Sequence, residues 1–170
     1  MDVKFKVSKM TCLIHPTAII GTNVIIEDDV YIGPYCIIGM PPEWKGKEEQ
    51  DKGVIIKKGT RITGLVSIDS GAEKPTTIGE NCYLMKHCHV GHDAQIGNNV
   101  TLSCGAKIGG YSIIGDKTNI GLNATVHQKV TIPEGCMIGA SGFVGKKSIL
   151  KPFYKYAGVP VKELGSNEKH

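Results

Sequence analysis

From Ile78 to Ile149 an aliphatic residue returns at every sixth position: Ile78, Leu84, Val90, Ile96, Leu102, Ile108, Ile114, Ile120, Val126, Ile132, Ile138 and Val144. The residue that follows is glycine in eight of these twelve hexads. Ile, Leu and Val make up only about a quarter of the chain, so composition alone does not produce such a run. Shorter trains in the same register run from Ile14 to Ile38 and from Ile56 to Ile68. A six-residue period fits neither a helix nor a plain alternating strand; it requires a short strand, a corner and another short strand. The pattern predicts an all-β fold, a parallel β-helix built as a hexapeptide-repeat solenoid.

With the aliphatic residue as position one, alternation also turns position five of the preceding hexad inward. That column holds Ala94, Val100, Ala106, Ser112, Thr118 and Ala124, small enough for a narrow interior, together with Cys36, Cys82, Cys88 and Cys136. These cysteines read as core fillers, and the chain has no C-x-x-C pair. Corners then fall at positions three and four. Position four holds Asn23, Asp29, Gly59, Gly71, Asn81, Asp93, Asn99, Gly105, Asn123 and Gly135, residue types that tolerate positive φ.

The expected organisation is a lead-in over 1–13, a β-helix over 14–149 and a short C-terminal tail over 150–170. Two inserted loops interrupt the helix, at 40–53 and 71–77. Roughly six to seven coils at about 4.8 Å each would give a prism on the order of 30 Å long. So slim a prism exposes apolar area and is expected to associate with copies of itself.

Composition narrows the function classes. The chain has 170 residues, the length of one domain, with 20 Lys and Arg against 16 Asp and Glu. The resulting charge of +4 suits phosphate-bearing partners but falls short of a nucleic-acid surface, and one Trp with three Phe leaves little for base stacking. No apolar stretch has the length of a signal peptide or a membrane span, so the expected location is cytoplasmic.

Three of the six histidines lie in the segment HCHVGHDAQIG, residues 87–97. The register sends His87 to the positive-φ corner, His89 to an outward flat face and His92 to an outward corner, where no packing rule asks for histidine. His92 is therefore expected to jut from a ridge of the prism. For Asp93, a backbone preference for the corner and a functional role weigh evenly. Residues 18 apart stack along one edge, so His92 lies over Gly110, Gln128 and Lys146, and Gly91 over Gly109, His127 and Gly145. His127 and Gln128 thus stand about 9.6 Å from His92 along a groove with bare glycine between. Both inserted loops leave the prism on this same edge, where they could roof the histidine.

The segment from Leu84 to Gly97, followed by Ala124-Thr-Val-His-Gln128, resembles the UDP-N-acetylglucosamine O-acyltransferases and their sugar-nucleotide N-acetyltransferase relatives. Ile14-His-Pro-Thr-Ala-Ile-Ile-Gly21 and Ile32-Gly-Pro-Tyr-Cys-Ile-Ile-Gly39 share that pattern. The resemblance implies a left-handed prism of 18-residue triangular coils, where the general crossover rule would favour a right-handed one. It also implies a homotrimer with active sites between subunits. On the same footing, His92 is the general base, Asp93 supports it and the backbone N–H of Gly110 serves the oxyanion. His89, His127 and Gln128 line the substrate cleft, and Glu43 and Trp44 stand near the place of a sugar-contacting acid.

Relatives of that kind continue into a helical domain, whereas about twenty residues follow Ile149 here, so a lipid A role is not expected. Ala157-Gly-Val-Pro-Val-Lys-Glu163 resembles the tail of acetyl-CoA-dependent hexapeptide transferases. The donor is accordingly expected to be acetyl-CoA or an acyl-ACP, the thioester of an acyl carrier protein. It would lie along Gly109, Gly145, Lys146 and Lys162, with Lys147 and Lys151 nearby and no metal required. The acceptor is a nucleotide-linked sugar. An imidazole with an ordinary pKa near 6.5 is largely neutral at pH 7 and suits the task of base.

Two other classes compete. The γ-type carbonic anhydrases share this solenoid and use histidines five apart as zinc ligands, the spacing of His87 and His92. They need a third histidine from an earlier coil, and none lies between His15 and His87. A non-catalytic scaffold would consume no thioester.

Overall fold

In the computed structural model the chain is described at residues 6–7 and 12–168. The lead-in expected over 1–13 therefore falls largely outside the described residues. Those described form 23 strands and no helix, most strands being two residues long. They stack into three parallel sheets that wall a left-handed parallel β-helix. Within the uninterrupted repeat each strand pairs with the one 18 residues later, as Tyr83 with Thr101, Asn119 with Met137, and His89 with Lys107.

The inward columns are those the six-residue period requires. Ile78, Leu84, Val90, Leu102, Ile108 and Ile132 are fully buried, and Cys36, Cys82, Cys88, Ala94, Ala106, Ser112 and Ala124 fill the second column between them. Serine is tolerated there because its hydroxyl donates to the His127 carbonyl at 3.0 Å. Burial pushes the Cys88 thiol up to about 11, as expected of an inert core filler.

Position four takes positive φ at Asp29, Asn81, Asp93, Asn99 and Asn123, and at Gly59, Gly105 and Gly135. Asn23 and Gly71, expected in the same conformation, do not take it among the described residues. Both stand where an insertion disturbs the corner. The Asn23 side chain donates to Asp51 of the first loop at 3.0 Å, and the chain leaves the prism at Gly71.

The solenoid is longer than six to seven coils. One face carries eight parallel strands, from Leu13–Ile14 to Tyr154–Ala157, closed by the antiparallel strand Lys162–Ser166. The aliphatic train stops short of the last coil because Tyr156 occupies the inward position opposite Ile138. Its hydroxyl accepts the Lys151 N–H at 2.7 Å, so a polar aromatic satisfies a place the pattern reserves for an aliphatic.

Both loops emerge at the corner that follows the face of His89–Val90. The register sets Ile38 against Ile68 and Ile26 against Ile56, which puts their exits on adjacent coils of one edge. Ser70, fully buried, knits them together. Its N–H donates to the Met40 carbonyl at 2.8 Å, its hydroxyl donates to Asp51 at 2.5 Å and accepts the Gly53 N–H at 2.7 Å.

Candidate active site

At this edge Asp93 is fully buried at a corner with φ of 60°, and its carboxylate is wrapped by the second loop. The N–H groups of Ala72, Glu73 and Lys74 donate to it at 2.9, 2.8 and 2.8 Å. Successive backbone N–H groups turned to one point make an anion nest. Burial pushes the Asp93 carboxyl upward, but the N–H groups of Ala72 and Lys74, His92 and the Glu73 N–H outweigh it and hold the group below the usual carboxylate range. Asp93 is therefore ionised at neutral pH and can only accept.

His92 Nδ1 lies 2.8 Å from Asp93 Oδ2. With an acceptor-only partner, Nδ1 carries the hydrogen and the lone pair stands on Nε2. Nε2 faces Gly110: a Cβ added there would lie 2.7 Å from it. The Gly110 N–H has no hydrogen-bond acceptor among the described residues.

His92 does not jut into solvent as its column implied. Its ring is outside the prism wall, yet the residue is only 8% exposed, because the first loop folds down over it. Trp44 stacks on the imidazole with centroids 5.4 Å apart and planes 19° from parallel, and Tyr111 stands edge-on to the same ring at 5.2 Å. Glu43, Trp44, His92, Tyr111, Gln128 and Lys129 enclose a cleft of about 200 Å³.

His89 is half-buried rather than free on its face, with Nδ1 2.9 Å from the Ser67 hydroxyl and Nε2 3.8 Å from Asp69 Oδ2. His87 is exposed at its corner, with φ of 64°. No group of three or more His, Cys, Asp or Glu side chains able to hold a metal occurs among the described residues.

A second, more apolar cleft of about 570 Å³ lies further along the edge, lined by His127, Phe143, Gly145, Lys146, Ile149 and Val161 among others. Lys162, expected beside it, lies on the last strand and is not among its lining residues. Gly109 does not line it either. Its glycine is explained by stacking, since a Cβ there would run into the Gln128 backbone of the next coil.

Three features of this candidate site are absent from the sequence reading. Tyr111 is a bulky aromatic at φ of 61° in a corner column where Asn, Asp and Gly are frequent but His87, Lys117, Lys129 and Ser141 also stand, so residue type gave only a weak signal for it. Asp69 occupies the column of Gly91, Gly109 and His127, by its register with the coil of Val90. The 72–74 backbone nest left no trace in residue type.

Two family models match the chain in succession: bacterial transferase hexapeptide (six repeats) at residues 75–110, and hexapeptide repeat of succinyl-transferase at 111–146. Together these matches fall within residues 75–146, inside the six-residue repeat. Among curated proteins it is similar to the acyl-carrier-protein-dependent UDP-N-acetylglucosamine O-acyltransferase of Campylobacter concisus, with 35% identity over 61% of this chain and 46% of that one. To the Burkholderia ambifaria enzyme of the same name it is 37% identical, over 56% of this chain and 38% of that one. The chain thus spans about half the length, or less, of these relatives.

Among solved structures, a UDP-N-acetylglucosamine acyltransferase superposes with a TM-score of 0.78 at 27% identity, over 96% of this chain and 74% of that one. The Bacteroides fragilis enzyme gives 0.78 at 26%, over 94% and 74%. A perosamine N-acetyltransferase from Caulobacter crescentus shares the fold, with a TM-score of 0.59 at 20% identity over 92% and 58%. No helix among the described residues is long and apolar enough to cross a membrane.

Proposed function

We propose that this protein is an acyltransferase that moves an acyl group, most simply acetyl, from a CoA or acyl-carrier-protein thioester to an amine or hydroxyl of a nucleotide-linked sugar. The observation that carries the reading is the 2.8 Å contact of His92 Nδ1 with a carboxylate held ionised by three backbone N–H donors. That contact leaves Nε2 as a base facing the trough. The resemblance to UDP-N-acetylglucosamine O-acyltransferases supports the reaction class.

A thioester is already activated, so the protein has to supply alignment, a base and a donor for developing negative charge. His92 Nε2 takes the proton of the attacking hydroxyl or amine as its oxygen or nitrogen bonds to the thioester carbonyl carbon. The Gly110 N–H, directed away from any backbone partner, donates to the oxyanion. The carbon–sulfur bond then breaks and His92 returns the proton to the thiolate. Steps of this kind are worth about 10²-fold or more each. Trp44 and Tyr111 exclude water from the imidazole, and Glu43, His89 and Gln128 border the acceptor. The donor arm runs from Gly110 toward His127 and the larger cleft, where apolar Phe143 and Val161 suit a pantetheine chain and Lys146 and Lys147 its phosphates.

The active assembly on this reading is a homotrimer with sites between subunits. Exposed Leu13, Ile19, Ile25 and Ile113, each at least 45% accessible, give the prism apolar faces to bury.

Thiol release from acetyl-CoA and longer acyl donors, measured against a panel of nucleotide-linked sugars with wild type and His92→Ala, tests the proposal. The expected result is release with the wild type and a loss of about 10²-fold or more in the variant. Near-normal turnover by the variant would overturn the mechanism, and no release with any pair would overturn the function.

A further inference from the structure

Buried polar side-chain atoms in proteins almost always find a hydrogen-bond partner, so those that do not ask for an explanation. Among the described residues three such atoms stand out: Asp69 Oδ2, the Tyr111 hydroxyl and Asn119 Oδ1. Two of the three border His92. Asp69 sits one coil before Gly91 in the column beside His92, and Tyr111 stands edge-on to the imidazole.

Asp69 is 93% buried, the complement of its 7% exposure. The basic group paired with it, His89 Nε2, is 3.8 Å from Oδ2, beyond hydrogen-bond reach, while the other ring nitrogen is taken up by Ser67. Burial raises the Asp69 carboxyl above its ordinary value, against the pull of His89 and the Glu43 N–H. A carboxylate oxygen placed there costs stability unless something that binds supplies a donor.

The surroundings indicate which donor. Glu43 lines the His92 cleft, and the Tyr111 hydroxyl faces Glu73 without reaching hydrogen-bond geometry. The neighbouring lysines are directed at ring faces, Lys47 over Trp44 at 5.5 Å and Lys129 over Tyr111 at 5.3 Å. Asp93 is already satisfied. The open acceptor among these carboxylates is Asp69, and a cationic donor answers both its charge and its missing hydrogen bond, about twice as strongly as a neutral hydroxyl would.

We infer that Asp69 binds the amino group of a nucleotide-linked amino sugar, with the Tyr111 hydroxyl as a second contact, so that this site selects an amine over a hydroxyl as acyl acceptor. The inference rests on the acyl-transfer reading and narrows its acceptor. The ammonium gives one proton to solvent and the remaining amine attacks the thioester carbonyl. The C–N bond forms as the C–S bond breaks, and the second proton passes through His92 to the thiolate. Products are an amide, a thiol and one proton in solution.

The test compares a nucleotide-linked amino sugar with its counterpart bearing a hydroxyl at the same carbon, on wild type and on the near-isosteric Asp69→Asn. Turnover and equilibrium binding by titration calorimetry are measured in parallel. Wild type is expected to favour the amino acceptor by about 10²-fold or more in kcat/KM. Asp69→Asn should lose most of that preference, through KM for the amino acceptor. Equal use of the two acceptors by wild type, a preference for the hydroxyl, or a preference kept intact in Asp69→Asn would overturn the inference. The wild-type comparison needs no variant, so misfolding of Asp69→Asn leaves the question decidable. If wild type releases no thiol with any acceptor, the acyl-transfer reading fails. Binding then still decides Asp69, since tighter binding of the amino compound supports its role and equal binding rejects it.

Discussion

Asp93 and His92 are adjacent in the chain, yet they meet side chain to side chain at 2.8 Å across a corner bent to φ of 60° at Asp93. The left-handed conformation turns the short carboxylate back toward its neighbour while three N–H groups from a loop some twenty residues earlier hold it from the other side. The corner thereby fixes the tautomer of the imidazole, with the hydrogen on Nδ1 and the lone pair on Nε2.

Asp93→Asn tests that tautomer. The amide can present its N–H to Nδ1, which would shift the hydrogen to Nε2 and remove the lone pair from the trough. Activity is expected to fall about 10²-fold or more with substrate affinity largely kept, as steady-state thiol release would register. A KM effect alone would show that Asp93 merely shapes the corner.

Acid stability should carry the Asp93 signature. Its carboxyl is held below the usual value in the folded protein, so the unfolded chain binds the proton more readily. The associated stability is complete above the ordinary carboxylate pKa of about 3.9 and is lost as pH falls through the lower folded value. Melting temperatures followed from pH 6 downward should drop less steeply for Asp93→Asn than for wild type over that acid window.

Gly110→Ala probes the space in front of the proposed base, His92. The added methyl would stand 2.7 Å from His92 Nε2 and 2.8 Å from Cε1, so the imidazole has to shift. Gly110 is not at positive φ, and alanine is compatible with its backbone. The expected outcome is a loss of activity of about 10²-fold with a modest change in Tm, which separates the site from the scaffold. Full activity in this variant would place the reacting base elsewhere.

Thiol labelling reports the core. Cys36, Cys82, Cys88 and Cys136 are buried and Cys12 and Cys104 only partly so. Burial also raises the four inner thiols, Cys88 to about 11. Iodoacetamide at pH 7.5, read by mass spectrometry of peptides, should modify Cys12 and Cys104 well before the others, which should react only on unfolding. Rapid native labelling of Cys88 would contradict the assigned register.

The sequence by itself determined the solenoid. Twelve aliphatic returns set position one, and residues such as Asn81, Asn99 and Asn123 marked the corners, because a narrow β-helix allows few residue types inward and at positive φ. The same bookkeeping set His92 above Gly110 and Gln128, since in-register stacking turns a separation of 18 into a spatial neighbour. It stopped where the period stops. The cover over His92 depends on how residues 41–53 fold across the edge, and Trp44, Glu43 and Asp51 obey no repeat that would locate them. The Asp93 nest is made by backbone N–H groups, which every residue but proline carries, so residue type cannot announce it. Asp69 and Tyr111 acquire their meaning only from what surrounds them: burial without a partner is a property of three-dimensional packing, and only the tertiary structure decided it.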